Sequence, residues 1–203
     1  MTTVFIAGPI KIKHLDRKFK ERIDKIIASG FDLVVGDADG ADTAIQTTLF
    51  EQGSSNTTVN EVKRRQRAAM GQSGETIWAD VDNGPIHSVT SDLAPGSRAY
   101  FTAKDLAMAE AADYGLMMWD ATSTGTLGNV IELLGRKKKS AVFVNKSKEF
   151  MTVGDVVPMS SIGRPWWRAC LNMPGRRKMR ADEKLNLHKR IEALSHEQLH
   201  MFA

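Results

Sequence analysis

The chain has 203 residues, 42% hydrophobic and 26% charged, with a formal net charge of +4. That is enough for one domain with a buried core, and no apolar run approaches the roughly 18 residues of a membrane span. A single cysteine, Cys170, excludes an intrachain disulfide, and ten methionines without a cysteine framework point to a reducing, cytoplasmic setting.

The N-terminus, MTTVFIAGPIKIK, has no basic region before its apolar stretch and no cleavage pattern after it, so no signal peptide is expected. Val4-Phe5-Ile6-Ala7 reads as a buried strand that ends in the turn Gly8-Pro9. From Leu15 to Ser29 the apolar residues Leu15, Phe19, Ile23, Ile26 and Ile27 recur at three and four, the spacing of one helix face, with Gly30 as its stop. Asp32–Val35 is a second strand. It runs into Gly36-Asp37-Ala38-Asp39-Gly40, and a helix is predicted to begin near Ala41. Short apolar strands alternating with helices indicate a parallel sheet covered on both faces.

Thr57–Val62 is a candidate third strand. Residues 64–98 are rich in glycine and proline and have little periodicity, which predicts an irregular insertion with a hairpin around Glu75–Ser88. Regularity returns with a helix over Tyr100–Ala112, a buried strand Tyr114–Trp119, a helix from Thr126 to Lys138 and a strand Ser140–Val144. Phe150–Val153 suggests an edge strand. A basic link with Trp166 and Trp167 then leads to a helical pattern over Ala181–Leu199. The expected architecture is α/β: a Rossmann-like three-layer sandwich with a mostly parallel sheet and helices on both faces. Residues 1–160 would form that domain, and 161–203 a basic, tryptophan-containing helical tail.

Three strand ends combine small, acidic and hydroxyl residues: Ala7-Gly8-Pro9, Gly36 to Asp42, and Asp120 to Thr126. In an open parallel sheet all strand carboxyl ends lie on one edge, where helix N-termini point and ligands bind. Helix N-termini present N–H groups and partial positive charge that suit a phosphate, glycine allows close approach, and Ser/Thr hydroxyls add donors. Each turn also has a purely structural explanation, as a tight turn or a capped helix start.

These segments resemble a known family. GDADGADTAI (36–45) is similar to the G-x-A-x-GAD-x-x-A signature of the SLOG superfamily, in its YspA-like branch. KDLAMAEAADYGLMMWDATSTGT (104–126) resembles the second signature of that branch, and FIAGP (5–9) resembles the opening strand of the superfamily and of nucleoside 2-deoxyribosyltransferases. The resemblance spans about residues 3–145 without the middle insertion. It implies a pocket lined by Gly8, Pro9, Gly36, Asp37, Ala38, Gly40, Asp42, Asp120, Ser123, Gly125 and Thr126, which takes a nucleotide, nucleotide sugar or NAD-derived molecule. Relatives that cleave N-glycosidic bonds, including lysine decarboxylase-like LOG proteins, carry a glutamate shortly after the Gly-Thr pair. Asn129 stands there in this chain, with Glu132 one turn on.

Three functions follow. The first is binding of a nucleotide, NAD-like or ADP-ribose-like ligand, with Asp42 or Asp120 on ribose hydroxyls. The second is an N-glycosidase or deoxyribosyltransferase using Asp120 and Glu132. The third is nucleic-acid binding through KRRQR (63–67), RKKK (136–139), RRKMR (176–180) and the tryptophan tail. Arg98 and Lys104 either pair with a phosphate or sit on a solvated helix start. Trp78 either stacks a base or packs. His196 and His200 stand i, i+4 with no third ligand nearby, so no metal is expected, and no cofactor is implied. The tail offers apolar surface for a homodimer. No membrane partner is expected.

Overall fold

A computed structural model of the protein describes residues 1–61, 86–88 and 98–154. The expected tail helix, Trp78, Trp166, Trp167, His196, His200 and the basic clusters 63–67 and 176–180 lie outside those residues.

The apolar run at the N-terminus forms β1 (Thr3–Ala7). Asp16 then starts α1 (Arg17–Ala28), its carboxylate accepting the N–H of Lys18 at 2.9 Å. This cap places the helix start after Leu15, two residues later than the apolar spacing alone suggests. β2 (Asp32–Gly36), α2 (Ala41–Glu51) and β3 (Thr57–Glu61) follow. Ile86–Ser88 forms β4, which pairs parallel with β3. These three residues therefore belong to the sheet and not to an irregular insertion; the rest of the expected hairpin lies outside the described residues. α3 (Arg98–Ala111), β5 (Tyr114–Trp119), α4 (Thr124–Gly135), β6 (Lys139–Val144) and β7 (Glu149–Val153) complete the order.

The described strands form a seven-stranded sheet in the order β4-β3-β2-β1-β5-β6-β7. All neighbours are parallel except β6 and β7. The chain thus winds outward from β1 on one side, then returns to the other side of β1 as β5 and winds outward again. Side chains alternate across the pleat. Val4, Ile6, Leu33, Val35, Leu116 and Met118 face α1 and α2, packing with Phe19, Ile23, Ile45 and Leu49. Phe5, Val34, Met117 and Trp119 face α3 and α4, packing with Met108, Ala109, Leu127, Val130 and Ile131. Each face buries its own core, so both layers of helix are needed to cover the sheet. This is the expected Rossmann-like α/β sandwich.

Two details of α4 differ from expectation. The helix begins two residues early, at Thr124, because Ser123 caps it. It ends at Gly135, before Lys137 turns to φ 59°. The RKKK cluster is partly occupied by the fold itself. Arg136 pairs with Glu132 at 3.0 Å, and the Lys138 ammonium donates to the carbonyls of Ala109 and Glu110 at the end of α3, at 3.0 and 2.6 Å.

Candidate functional site

β1 and β5 are neighbours, yet the chain leaves them toward opposite faces of the sheet. That is the switch point of a doubly wound sheet, where a crevice opens outside the strand carboxyl ends. Ala7 pairs with Met117, and Ile6 with Val35. The turns after β1, β2 and β5 therefore leave from one edge, which brings together the three predicted segments. Two of them are stitched together by backbone. The Pro9 carbonyl accepts the first N–H of α2, from Ala41, at 3.3 Å, and that of Ile12 at 3.1 Å. A Cβ on Gly8 would lie 2.5 Å from that of Ala41. Gly40 precedes α2 at φ 84°, ψ −116°, a backbone no L-residue holds comfortably, and a side chain there would strike the backbone of Ile10.

Beneath this edge lies a buried charge cluster. The Lys104 ammonium, 5% exposed, sits 3.2 Å from Asp37, 3.6 Å from Asp42 and 3.7 Å from Asp105. Asp42 also accepts the N–H of Gly8 at 3.4 Å and that of Ala38 at 3.3 Å. It does not cap α2. Its carboxylate ties the β1 turn to the β2 turn, while the N-cap position is Gly40. Burial pushes the Asp42 carboxyl up to about 6, opposed by the nearby Lys104 and reinforced by Asp105 and Asp37. Gly36 is required by this packing, since a Cβ there would meet the Lys104 ammonium and the Asp42 carboxylate. Beside it the Gln46 amide donates to the Gly36 carbonyl at 2.7 Å, and its buried Oε1 has no partner among the described residues.

The third turn is built differently. Asp120 accepts the N–H of Thr122 at 2.8 Å, the Thr122 hydroxyl at 2.8 Å and the N–H of Ser123 at 2.6 Å. This local loop lets Ala121 adopt φ 65°. Ser123 then caps α4 by accepting from the Thr126 N–H at 3.4 Å, and its carbonyl accepts the Trp119 indole N–H at 3.1 Å. Gly125 is exposed; among the described residues only the Ser123 hydroxyl lies near its Cβ direction, and Gly128 one turn later has nothing within 4 Å there. Thr126 and Asn129 are buried on the adjoining flank of the helix.

The structure therefore brings Gly8, Pro9, Gly36, Asp37, Ala38, Gly40 and Asp42 into one contact set. Asp120, Ser123, Gly125, Thr126 and Asn129 stand across the switch point on the same edge. Of the carboxylates expected to do chemistry, Asp120 shapes its own turn and Glu132 pairs with Arg136. Lys104 is neither solvated nor open to a phosphate: it is enclosed by carboxylates. Its burial was legible in spacing, because Lys104, Met108 and Ala112 recur every fourth residue, and Met108 and Ala112 are fully buried. Among the described residues no group of three or more His, Cys, Asp or Glu side chains could hold a metal, and no helix is long and apolar enough to cross a membrane.

No protein-family model matches the chain, and no curated protein matches it. Among solved structures it is similar to DNA processing protein A from Helicobacter pylori, described for its single-stranded DNA binding mode, with a TM-score of 0.51 and 18% sequence identity. The match covers 70% of this chain and 64% of that one, so this chain spans less than two thirds of the length of its structural neighbour. At that identity the likeness carries the Rossmann-like fold.

Proposed function

We propose that this chain binds a phosphate-bearing, nucleotide-type ligand in the crevice between β1 and β5, as a YspA-like member of the SLOG superfamily. One observation carries the reading: three strand-end turns gather at the switch point, and α4 opens there with a capped first turn and, among the described residues, open space over Gly125 and Gly128. Electrostatics chooses between the two helices expected to hold phosphate. At α2 the amides of Gly8 and Ala38 already serve the Asp42 carboxylate, and an anion there would face Asp37 and Asp42. At α4 the first turn itself carries no acidic residue, and the Asp120 carboxylate just before its cap is neutralised locally by the Thr122 and Ser123 N–H groups and the Thr122 hydroxyl, so the helix dipole favours a phosphate there. The proposal stops at binding, because Asp120 and Glu132 are both engaged by the chain's own groups.

Calorimetric titration with AMP, ADP, NAD and ADP-ribose tests it. Saturable binding of at least one is expected, weakened at least tenfold by Gly125→Glu, which puts a carboxylate in the phosphate position. Absence of binding by all four would sink the reading.

A second reading, single-stranded DNA binding, is favoured by the fold likeness to a protein described as binding it. Lys11 and Lys13, exposed in the turn after β1, would supply phosphate contacts. Fluorescence anisotropy of a labelled oligothymidylate should then show affinity falling with salt, by a log–log slope of about −0.7 per phosphate contacted. Weak, salt-insensitive association removes this reading.

A further inference from the structure

We propose that Lys104 is a positioning residue: from α3 its buried ammonium holds Asp37 and Asp42, and through Asp42 the backbone amides of Gly8 and Ala38, so that the turns after β1 and β2 keep one shape. The geometry is that of a single pin through three segments. Lys104 reaches Asp37 at 3.2 Å and Asp42 at 3.6 Å, and the two oxygens of Asp42 reach Gly8 and Ala38 separately. Lys104 and Asp42 lie 62 positions apart in sequence, so the ion pair ties α3 to the turns after β1 and β2. The space over Gly36 admits no side chain because the pin fills it. The Gly8 and Ala38 amides would otherwise be drawn to any anion in the crevice. The pin occupies them with an internal carboxylate and leaves α4 as the open anion position. To that extent the inference rests on the proposed ligand site.

Among the described residues the charged groups around Asp42 are Lys104 and Asp105 from α3 and Asp37 from the turn after β2. The test is nuclear magnetic resonance of the Gly8 and Ala38 amides between pH 4 and 8. In the wild-type chain both should follow one midpoint, that of Asp42. Lys104→Met should raise this midpoint by a unit or more, since the cation that favours the carboxylate is gone, and Asp42→Asn should abolish it. Separate midpoints, no titration, or an unchanged midpoint in Lys104→Met overturns the pin. If Lys104→Met does not fold, Asp37→Asn in the wild-type background must lower the midpoint, since it removes a like charge, and failure to do so overturns the pin equally.

ADP is titrated into the same samples. Its affinity should fall at least tenfold in Lys104→Met, and unchanged affinity with displaced amides would refute the positioning role. If ADP does not bind the wild-type chain, the ligand reading fails while the shared amide midpoint still decides the pin.

Discussion

Asp42→Asn should remove a pH dependence of stability that runs opposite to the usual direction for a carboxylate. Asp42 is 5% exposed, and burial raises its carboxyl from the ordinary 3.8 to about 6. A raised acid stabilises the fold fully below the unfolded value, and that contribution is lost as pH rises through the folded one. That rise corresponds to about 3 kcal/mol, of which about 2–3 kcal/mol should be lost between pH 4 and pH 7. Asparagine is nearly isosteric and does not titrate. Whatever its constant effect on the Gly8 and Ala38 amides, the stability of the variant minus that of the wild-type chain should rise by about 2–3 kcal/mol across that interval. Urea denaturation of both proteins at pH 4, 5, 6 and 7 measures it directly. A flat difference would mean the carboxyl does not titrate in this window. A difference that falls with pH would mean that Lys104, not burial, dominates its environment, and the account of the cluster would be wrong.

Other substitutions probe the remaining supports. Gly40→Ala should lower stability by at least about 2 kcal/mol in chemical denaturation, from a strained backbone plus a Cβ driven against Ile10. Ser123→Ala removes the cap of α4 and should cost about 1 kcal/mol, and it should also weaken any anion bound at that turn in the calorimetric titrations. Phe143→Ala should cost about 3–5 kcal/mol by thermal or urea unfolding, because its ring is fully buried, 5.0 Å from that of Phe150 and 5.9 Å from that of Phe19.

The local pattern carried most of the architecture. Val4–Ala7, Asp32–Val35 and Tyr114–Trp119 are apolar enough to be buried on both faces, and such strands must be parallel and covered by helices. The three-and-four spacing of Phe19, Ile23, Ile26 and Ile27 marks the face that α1 turns to the sheet, and a glycine at position 40 announces a turn that other residues avoid. Helix starts are less legible, because a cap is one hydrogen bond between near neighbours: Asp16 and Ser123 each move a boundary by about two residues from the apolar spacing.

What composition and spacing determined here was which residues are buried, which elements they form and that the small-residue turns share one edge, since period and propensity are local properties of the chain. Tertiary structure alone decided that Ile86–Ser88 joins the sheet, that β7 runs antiparallel, and that Lys104 meets Asp37 and Asp42. These are pairings between distant segments. They depend on strand order and on the free energy of enclosing charges together, which no stretch of sequence expresses by itself.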